Sequence, residues 1–141
     1  MTSRSIEDLA AEIAAKEAAR LPARRKAEDL AHRMHGRARA TLDRFNGAVR
    51  DAGAPHLDLV QLEPVEPDDK SVRAFQFRML RGAWTALVIS RDKGEVMLVG
   101  PFKRGHDEGP CHALPLERGA GAIEEAIDGL VTALIEQSYA R

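Results

Sequence analysis

The sequence predicts an α+β protein with two N-terminal helices, a four-stranded antiparallel meander and a C-terminal helix packed on the sheet. Three observations support this class. Helical periodicity fills the first 52 residues, short strand-like segments follow up to residue 100, and a wide apolar helical stripe returns after residue 119. The 141 residues, 44% hydrophobic and 30% charged, are typical of one soluble globular domain. We therefore expect residues 1–141 to form a single α+β domain.

The first helix is expected over residues 5–20, where Ser5 can cap the N-terminus and acidic residues occupy the first turn. Pro22 disfavours helical geometry at the residue before it, so a break near residue 21 is expected. Residues 1–21 are therefore predicted to form a loosely packed or partner-binding helix. Its apolar stripe is thin and padded by alanines: Ile6, Leu9 and Ile13.

The second helix is expected over residues 22–52 and ends at Gly53 and Pro55. Its packing face recurs at helical spacing: Ala27, Leu30, Met34, Ala38, Leu42, Phe45 and Val49. Beside that face runs a row of four cations, here called the cation row: Lys26, Arg33, Arg37 and Arg44. A row of this kind is a candidate site for anions or nucleic acid.

Four strands are predicted, over residues 56–62, 71–80, 83–90 and 95–100. The third and fourth contain the runs "ALVI" and "VMLV", which are apolar at consecutive positions. Consecutive side chains of a strand point to opposite faces, so both faces of this sheet must be covered. The helices can cover one face. The first helix, the long loop or the sheet of a second copy can cover the other, and we expect a homodimer.

The C-terminal helix has the clearest pattern in the chain. In "AIEEAIDGLVTALIEQSYAR" the apolar side chains spread over about half of the helical wheel, with acidic residues opposite. A stripe of that width predicts a helix laid across a sheet.

The segment 101–119 between the last strand and this helix is long for a connection and is therefore a candidate site. Its candidate ligands, bases or nucleophile are Lys103, Arg104, His106, Asp107, Glu108, Cys111 and His112. A metal- or thiol-dependent site is one interpretation. However, Cys111 and His112 are adjacent, which is unfavourable for binding one ion together, and no complete catalytic, metal or cofactor motif is present. The segment is therefore either a site or a connector.

Charge is distributed in blocks, although the formal net charge is only −1. It is +3 over residues 1–53, −4 over 54–72, +5 over 73–104 and −5 over 105–141. Such blocks can pair with each other, with a second copy or with a ligand. The single cysteine and the lack of an apolar leader or spanning segment favour a cytoplasmic protein that does not enter a membrane.

These features predict a small cytosolic interaction or regulatory module that is homodimeric, has no catalytic activity or cofactor of its own and binds a protein partner. Nucleic-acid binding by the cation row is the first alternative. A metal- or thiol-dependent site in 101–119 is the second.

Overall fold

A computed structural model describes residues 4–57, 60–68, 71–105, 109–114 and 116–139. It contains two α-helices, α1 (Ile6–Asp51) and α2 (Ala120–Tyr139), and two short 3-10 turns, Pro55–Leu57 and Leu116–Arg118. The strands are β1 (Gln61–Leu62), β2 (Glu66–Asp68), β3 (Ser71–Arg81), β4 (Trp84–Arg91), β5 (Val96–Lys103) and β6 (Cys111–Ala113). The predicted α+β class, with a C-terminal helix on an antiparallel sheet, is confirmed. The numbers of helices and strands are not.

The two predicted N-terminal helices are one helix, because α1 continues through Pro22. Proline removes the N–H that would bond the carbonyl of Ala18. Both Ala18 and Pro22 lie at the surface, so water can satisfy that carbonyl. Ser5 caps the start as expected, since its hydroxyl accepts a bond of 3.0 Å from the backbone N–H of Asp8. The predicted break near residue 21 is therefore wrong.

The sheet has six strands rather than four, in the order β1-β3-β4-β5-β6, with β2 also paired to β3. Every pairing is antiparallel, and β3, β4 and β5 form the predicted meander. The two additional strands, β2 and β6, come from segments that were expected to be connections. The predicted strand 56–62 was too long, since only Gln61–Leu62 pairs with β3, and residues 58–59 lie outside the described part.

A bulge interrupts the pairing of β4 with β5. Thr85 is opposite Phe102 and Leu87 is opposite Val99, so Gly100 and Pro101 on β5 face the single residue Ala86 on β4. Gly100 has a φ of 98°, a conformation that side chains rarely adopt. The extra residue brings Phe102 to the same face of the sheet as Val99.

Both helices pack on one face of the sheet, α1 over β3 and β4, and α2 mainly over β5 and β4. The core between these layers is apolar and buried. Its fully buried larger side chains include Met34, Phe77, Met79, Val88, Val96, Ile127, Val131 and Leu134. Ser90 is buried beneath α1, and its hydroxyl donates a bond of 2.8 Å to the carbonyl of Ala27.

The first 17 residues of α1, here called the arm (6–22), extend beyond this core by about 25 Å. The first buried residue of α1 is Ala27. Four large apolar side chains of the arm are exposed: Ile6 by 72%, Leu9 by 36%, Ile13 by 52% and Leu21 by 41%. Ile13 precedes Ala27 by two heptads, so the apolar stripe of the arm lies on the same side of α1 as the core-facing residues.

Neither of the described helices combines the length and apolarity that a membrane span requires.

Candidate functional site

The face of the sheet turned away from the helices is the strongest candidate site. Leu87 pairs with Val99 and Ile89 with Met97, so four apolar side chains form a contiguous block on β4 and β5. On the other side of the bulge, Leu80 and Phe102 are the two neighbours of Thr85 on β3 and β5, and they lengthen the block toward the β3–β4 turn. We call this surface the open face; its apolar residues are Leu80, Leu87, Ile89, Met97, Val99 and Phe102. All six are partly exposed, and within the described ranges no helix lies over them.

Polar groups border the open face on the side of β2 and β3. Arg78 stands in register with Leu87 and is exposed, and the exposed Glu66 pairs with Gln76 in the next row. Gln76 is buried, with 4% of its surface exposed. The open face thus carries an apolar centre with a cation and an anion along one margin.

The size of the open face can be estimated from sheet geometry. The apolar residues cover three neighbouring strands and five positions along β4, or about 14 Å by 17 Å and roughly 240 Å². An exposed apolar patch of a few hundred Å² is often functional, even on a monomeric protein. The sequence had indicated this face through the runs "ALVI" and "VMLV". It did not single out Phe102, because the bulge that turns this side chain leaves no simple periodic signal.

The segment 101–119 is divided between β5, β6 and residues outside the described part. Lys103 ends β5, and its ammonium lies 5.8 Å from the ring centre of Trp84. Arg104 donates a hydrogen bond to the carbonyl of Gly82, which fixes the end of the β3–β4 hairpin. The remaining charged candidates of this loop, His106, Asp107 and Glu108, lie outside the described residues.

Cys111 and His112 point to opposite faces of β6. Cys111 pairs with Val99 and is exposed at the edge of the open face, whereas His112 pairs with Leu98 and lines a groove against α2. Side chains on opposite faces of a strand do not meet at one ion. Within the described ranges, no group of three or more histidine, cysteine or acidic side chains is placed to hold a metal.

Arg37 of the cation row forms the main polar link between the two helices. Its Nη2 lies 2.6 Å and its Nε 3.0 Å from the carboxylate of Asp128, which also accepts a bond of 2.5 Å from the Thr41 hydroxyl. Glu124 lies 3.6 Å from the same guanidinium. The bonds from Arg37 lower the pKa of Asp128, and the same contact raises the pKa of Arg37.

The other members of the cation row are exposed and point to different neighbours. Lys26 borders a groove of about 400 Å³ between α1 and the β4–β5 turn. Arg44 borders a second groove between α1 and α2. Arg33 lies on α1 between Lys26 and Arg44 in the sequence and is exposed. Arg37 is therefore the member of the cation row whose charge is paired within the chain, by Asp128.

His35 joins α1 to the segment that follows β1. Its Nε2 lies 2.9 Å from the carbonyl oxygen of Glu63, and its ring meets that of Phe77 edge to face at 5.2 Å. Partial burial lowers the pKa of His35, and the neighbouring Arg39 and His32 act in the same direction. The bond to the Glu63 carbonyl opposes this shift. These contacts give His35 a packing role.

No family model matches the chain, and neither a curated protein nor a solved structure shows significant similarity to it.

Proposed function

We propose that this protein is a small interaction module that self-associates through the open face of its sheet, without catalytic chemistry of its own. The observation that carries the proposal is the contiguous apolar block on β4 and β5, which neither described helix covers. Removing such a surface from water is favourable by about 25 cal/mol per Å². A second sheet packed face to face at about 10 Å would bury it.

A second copy fits this surface better than an unrelated partner does, for two reasons. First, a twofold axis packs the apolar block of one copy against the same block of the other. Second, such an axis can place the exposed Arg78 of each copy opposite the exposed Glu66 of the other. The apolar blocks of two copies would bury roughly 500 Å² together, so the polar margins must contribute as much again to reach the lower limit for a specific complex. We therefore expect a dimer that dissociates on dilution rather than an obligate one.

The proposal is tested by placing a charge in the middle of the block. Leu87→Glu should convert the dimer to a monomer in sedimentation equilibrium, because the carboxylate would lose its water between two apolar sheets, and a pair with the neighbouring Arg78 does not offset that cost. The circular dichroism spectrum should not change, since Leu87 faces away from the helix-covered core. Ala83→Glu is the matched control, because Ala83 is exposed in the β3–β4 turn, and this variant should remain dimeric.

A wild-type protein that stays monomeric at high micromolar concentration would overturn the proposal. So would a Leu87→Glu variant that dimerises as tightly as the wild type.

Nucleic-acid binding is the alternative that the cation row supports. Lys26, Arg33 and Arg44 remain exposed for it, but the charge of Arg37 is paired with Asp128. This alternative predicts binding to DNA or RNA that weakens steeply with salt and is lost in an Arg33→Glu, Arg44→Glu double variant. No binding at low salt would remove it.

The metal or thiol alternative in 101–119 predicts bound zinc or a reactive thiol that disappears on Cys111→Ser. Metal analysis of the purified protein and alkylation of Cys111 test it directly. A preparation without metal and with an ordinary thiol would leave the segment as a connector.

A further inference from the structure

We propose that the arm of one copy docks into the groove between α1 and α2 of another copy. This contact uses surfaces that the open face does not include, so it is independent of the function proposed above. Two observations carry it: the exposed apolar stripe of the arm and an unfilled apolar groove of matching length on the outer side of the helix pair.

The groove has a volume of about 500 Å³. Its α1 wall extends from Thr41 to Ala48 and its α2 wall from Val131 to Glu136. The helices run parallel here, since Arg37 meets Glu124 and Thr41 meets Asp128 one turn later. Its apolar lining is provided by Phe45, Ala48, Val131 and Ile135. We call it the helix groove.

The arm has the spacing that helix-in-groove recognition requires. Ile6, Leu9 and Ile13 stand at i, i+3 and i+7, so they form one stripe over two turns. The stripe and the α1 wall of the groove each span seven residues, or about 10.5 Å. A helix laid along the groove can therefore place all three side chains against its lining.

The charges select one way of seating the arm. Glu12 and Lys16 flank the stripe on one side, whereas Ala10, Ala14 and Glu17 flank it on the other. The helix groove has a cation, Arg44, on its α1 wall and an anion, Glu136, on its α2 wall. With Glu12 toward Arg44, the alanines approach Glu136, whereas Lys16 and Glu17 lie one turn beyond Ile13, past the length of arm that matches the groove.

The local ion pairs of Glu12 do not prevent this contact. Glu12 pairs with Arg4 at 2.6 Å and with Lys16 at 3.3 Å, but all three side chains are largely exposed. Exposed pairs of this kind contribute little and exchange partners readily.

A chain cannot place its arm in its own groove. Helix α1 is continuous from Ile6 to Asp51, and Ile13 and Thr41 are separated by about 42 Å along its axis. An arm that occupies the helix groove must therefore come from another copy.

Disulfide trapping between two single-cysteine proteins tests the docking. In a Cys111→Ser background, protein carrying Leu9→Cys is mixed with protein carrying Ala48→Cys under mild oxidation. Leu9 lies in the stripe and Ala48 in the groove wall, so a mixed disulfide should form well above the level of random collision. Ala11→Cys is the matched control, because Ala11 lies on the opposite side of the arm and should not react.

Equal trapping by Leu9→Cys and Ala11→Cys would overturn the docking. So would exclusive formation of Leu9→Cys homodimers, which would mean that arms pair with arms. Combining Leu87→Glu with the trapping pair separates the two proposals, since the mixed disulfide should persist when the open face can no longer associate.

A charge exchange tests the predicted seating. In the Leu87→Glu background, Arg44→Glu should lower the yield of the mixed disulfide about three- to fivefold, the usual contribution of an exposed ion pair. Adding Glu12→Arg should restore it. Arg39→Glu is the control, since Arg39 is exposed on a different side of α1 and should have no effect. An Arg44→Glu defect that Glu12→Arg does not repair would contradict this orientation.

Discussion

Gly100 is the residue whose replacement the backbone tolerates least. A Cβ atom built there would lie 2.8 Å from the carbonyl oxygen of Thr85 and 3.1 Å from the Cα of Ala86, and both of these are backbone atoms of β4. The positive φ adds strain for any side chain. Gly100→Ala should therefore lower the free energy of unfolding by about 2 kcal/mol or more, measured by urea denaturation. Gly94→Ala has a similar φ but open space around it, so it should cost less.

Asp128 makes the link between the helices dependent on pH. Its pKa is lowered from 3.8, mainly by the bonds from Arg37, so the folded protein binds this proton less readily than the unfolded chain does. The stabilisation is present above about pH 3.8 and is lost as the pH falls through the lower pKa of the folded state.

Asp128→Asn should therefore unfold at a lower urea concentration than the wild type at pH 7. The difference between the two proteins should shrink as the pH falls below 3.8. A difference that is constant from pH 7 to pH 3 would show that the charge of Asp128 does not provide the stabilisation.

For single residues, the face of a helix on which a side chain lies was easier to predict than the side chain that it contacts. Periodicity placed Arg37 on a solvent-facing row, but it could not reveal that α2 brings Asp128 within 2.6 Å of it. The adjacency of Cys111 and His112 already argued against a shared ion, and the strand that separates their faces gives the physical reason. The contacts depend on how elements far apart in the chain meet, which local spacing does not encode.

Among the elements, long amphipathic segments were predictable and short or interrupted ones were not. Helix α2 and the meander have strong patterns. In contrast, β2 and β6 have three residues each, too few for a recognisable period, and they form because the edges of β3 and β5 offer unpaired backbone groups. Pro22 was predicted to break the helix because proline disfavours helical geometry at the residue before it, but α1 continues through Pro22, and Ala18, whose carbonyl loses its bond, lies at the surface.

The two helices should respond differently to the same substitution. Ile127 on α2 is fully buried and Ile6 on the arm is 72% exposed. Ile127→Ala should lower the free energy of unfolding by about 2–5 kcal/mol, since it leaves a cavity in the core. Ile6→Ala should change it by less than about 0.5 kcal/mol in the monomeric Leu87→Glu background. Comparable losses in urea denaturation would mean that the arm packs on its own core.

For the molecule as a whole, self-association should couple stability to concentration. If folded copies pair through the open face, the apparent Tm should rise by about 2–3 °C for each tenfold increase in concentration above the dissociation constant. The Leu87→Glu variant should show a Tm that does not depend on concentration. Differential scanning calorimetry over a hundredfold range distinguishes these outcomes, and a wild-type Tm that does not vary would contradict dimerisation.

The fold of the whole chain also explains part of the block-like distribution of charge in the sequence. The acidic block 105–141 meets the basic block 1–53 where Asp128 and Glu124 pair with Arg37. Part of the segregation seen in the sequence is therefore satisfied within one chain. Some other charged side chains, including Arg44 beside the helix groove, are exposed at the surface.

Because α1 is unbroken, the angular phase of the arm is locked to that of the core. Deleting one residue between Ile13 and Ala27 would rotate the stripe by about 100° around the helix axis, whereas deleting seven would shorten the arm by about 10.5 Å and turn it by only about 20°. A change in arm length by one heptad would therefore keep the stripe on nearly the same side of α1. The helix sets both the distance of the stripe from the core and the direction in which it faces.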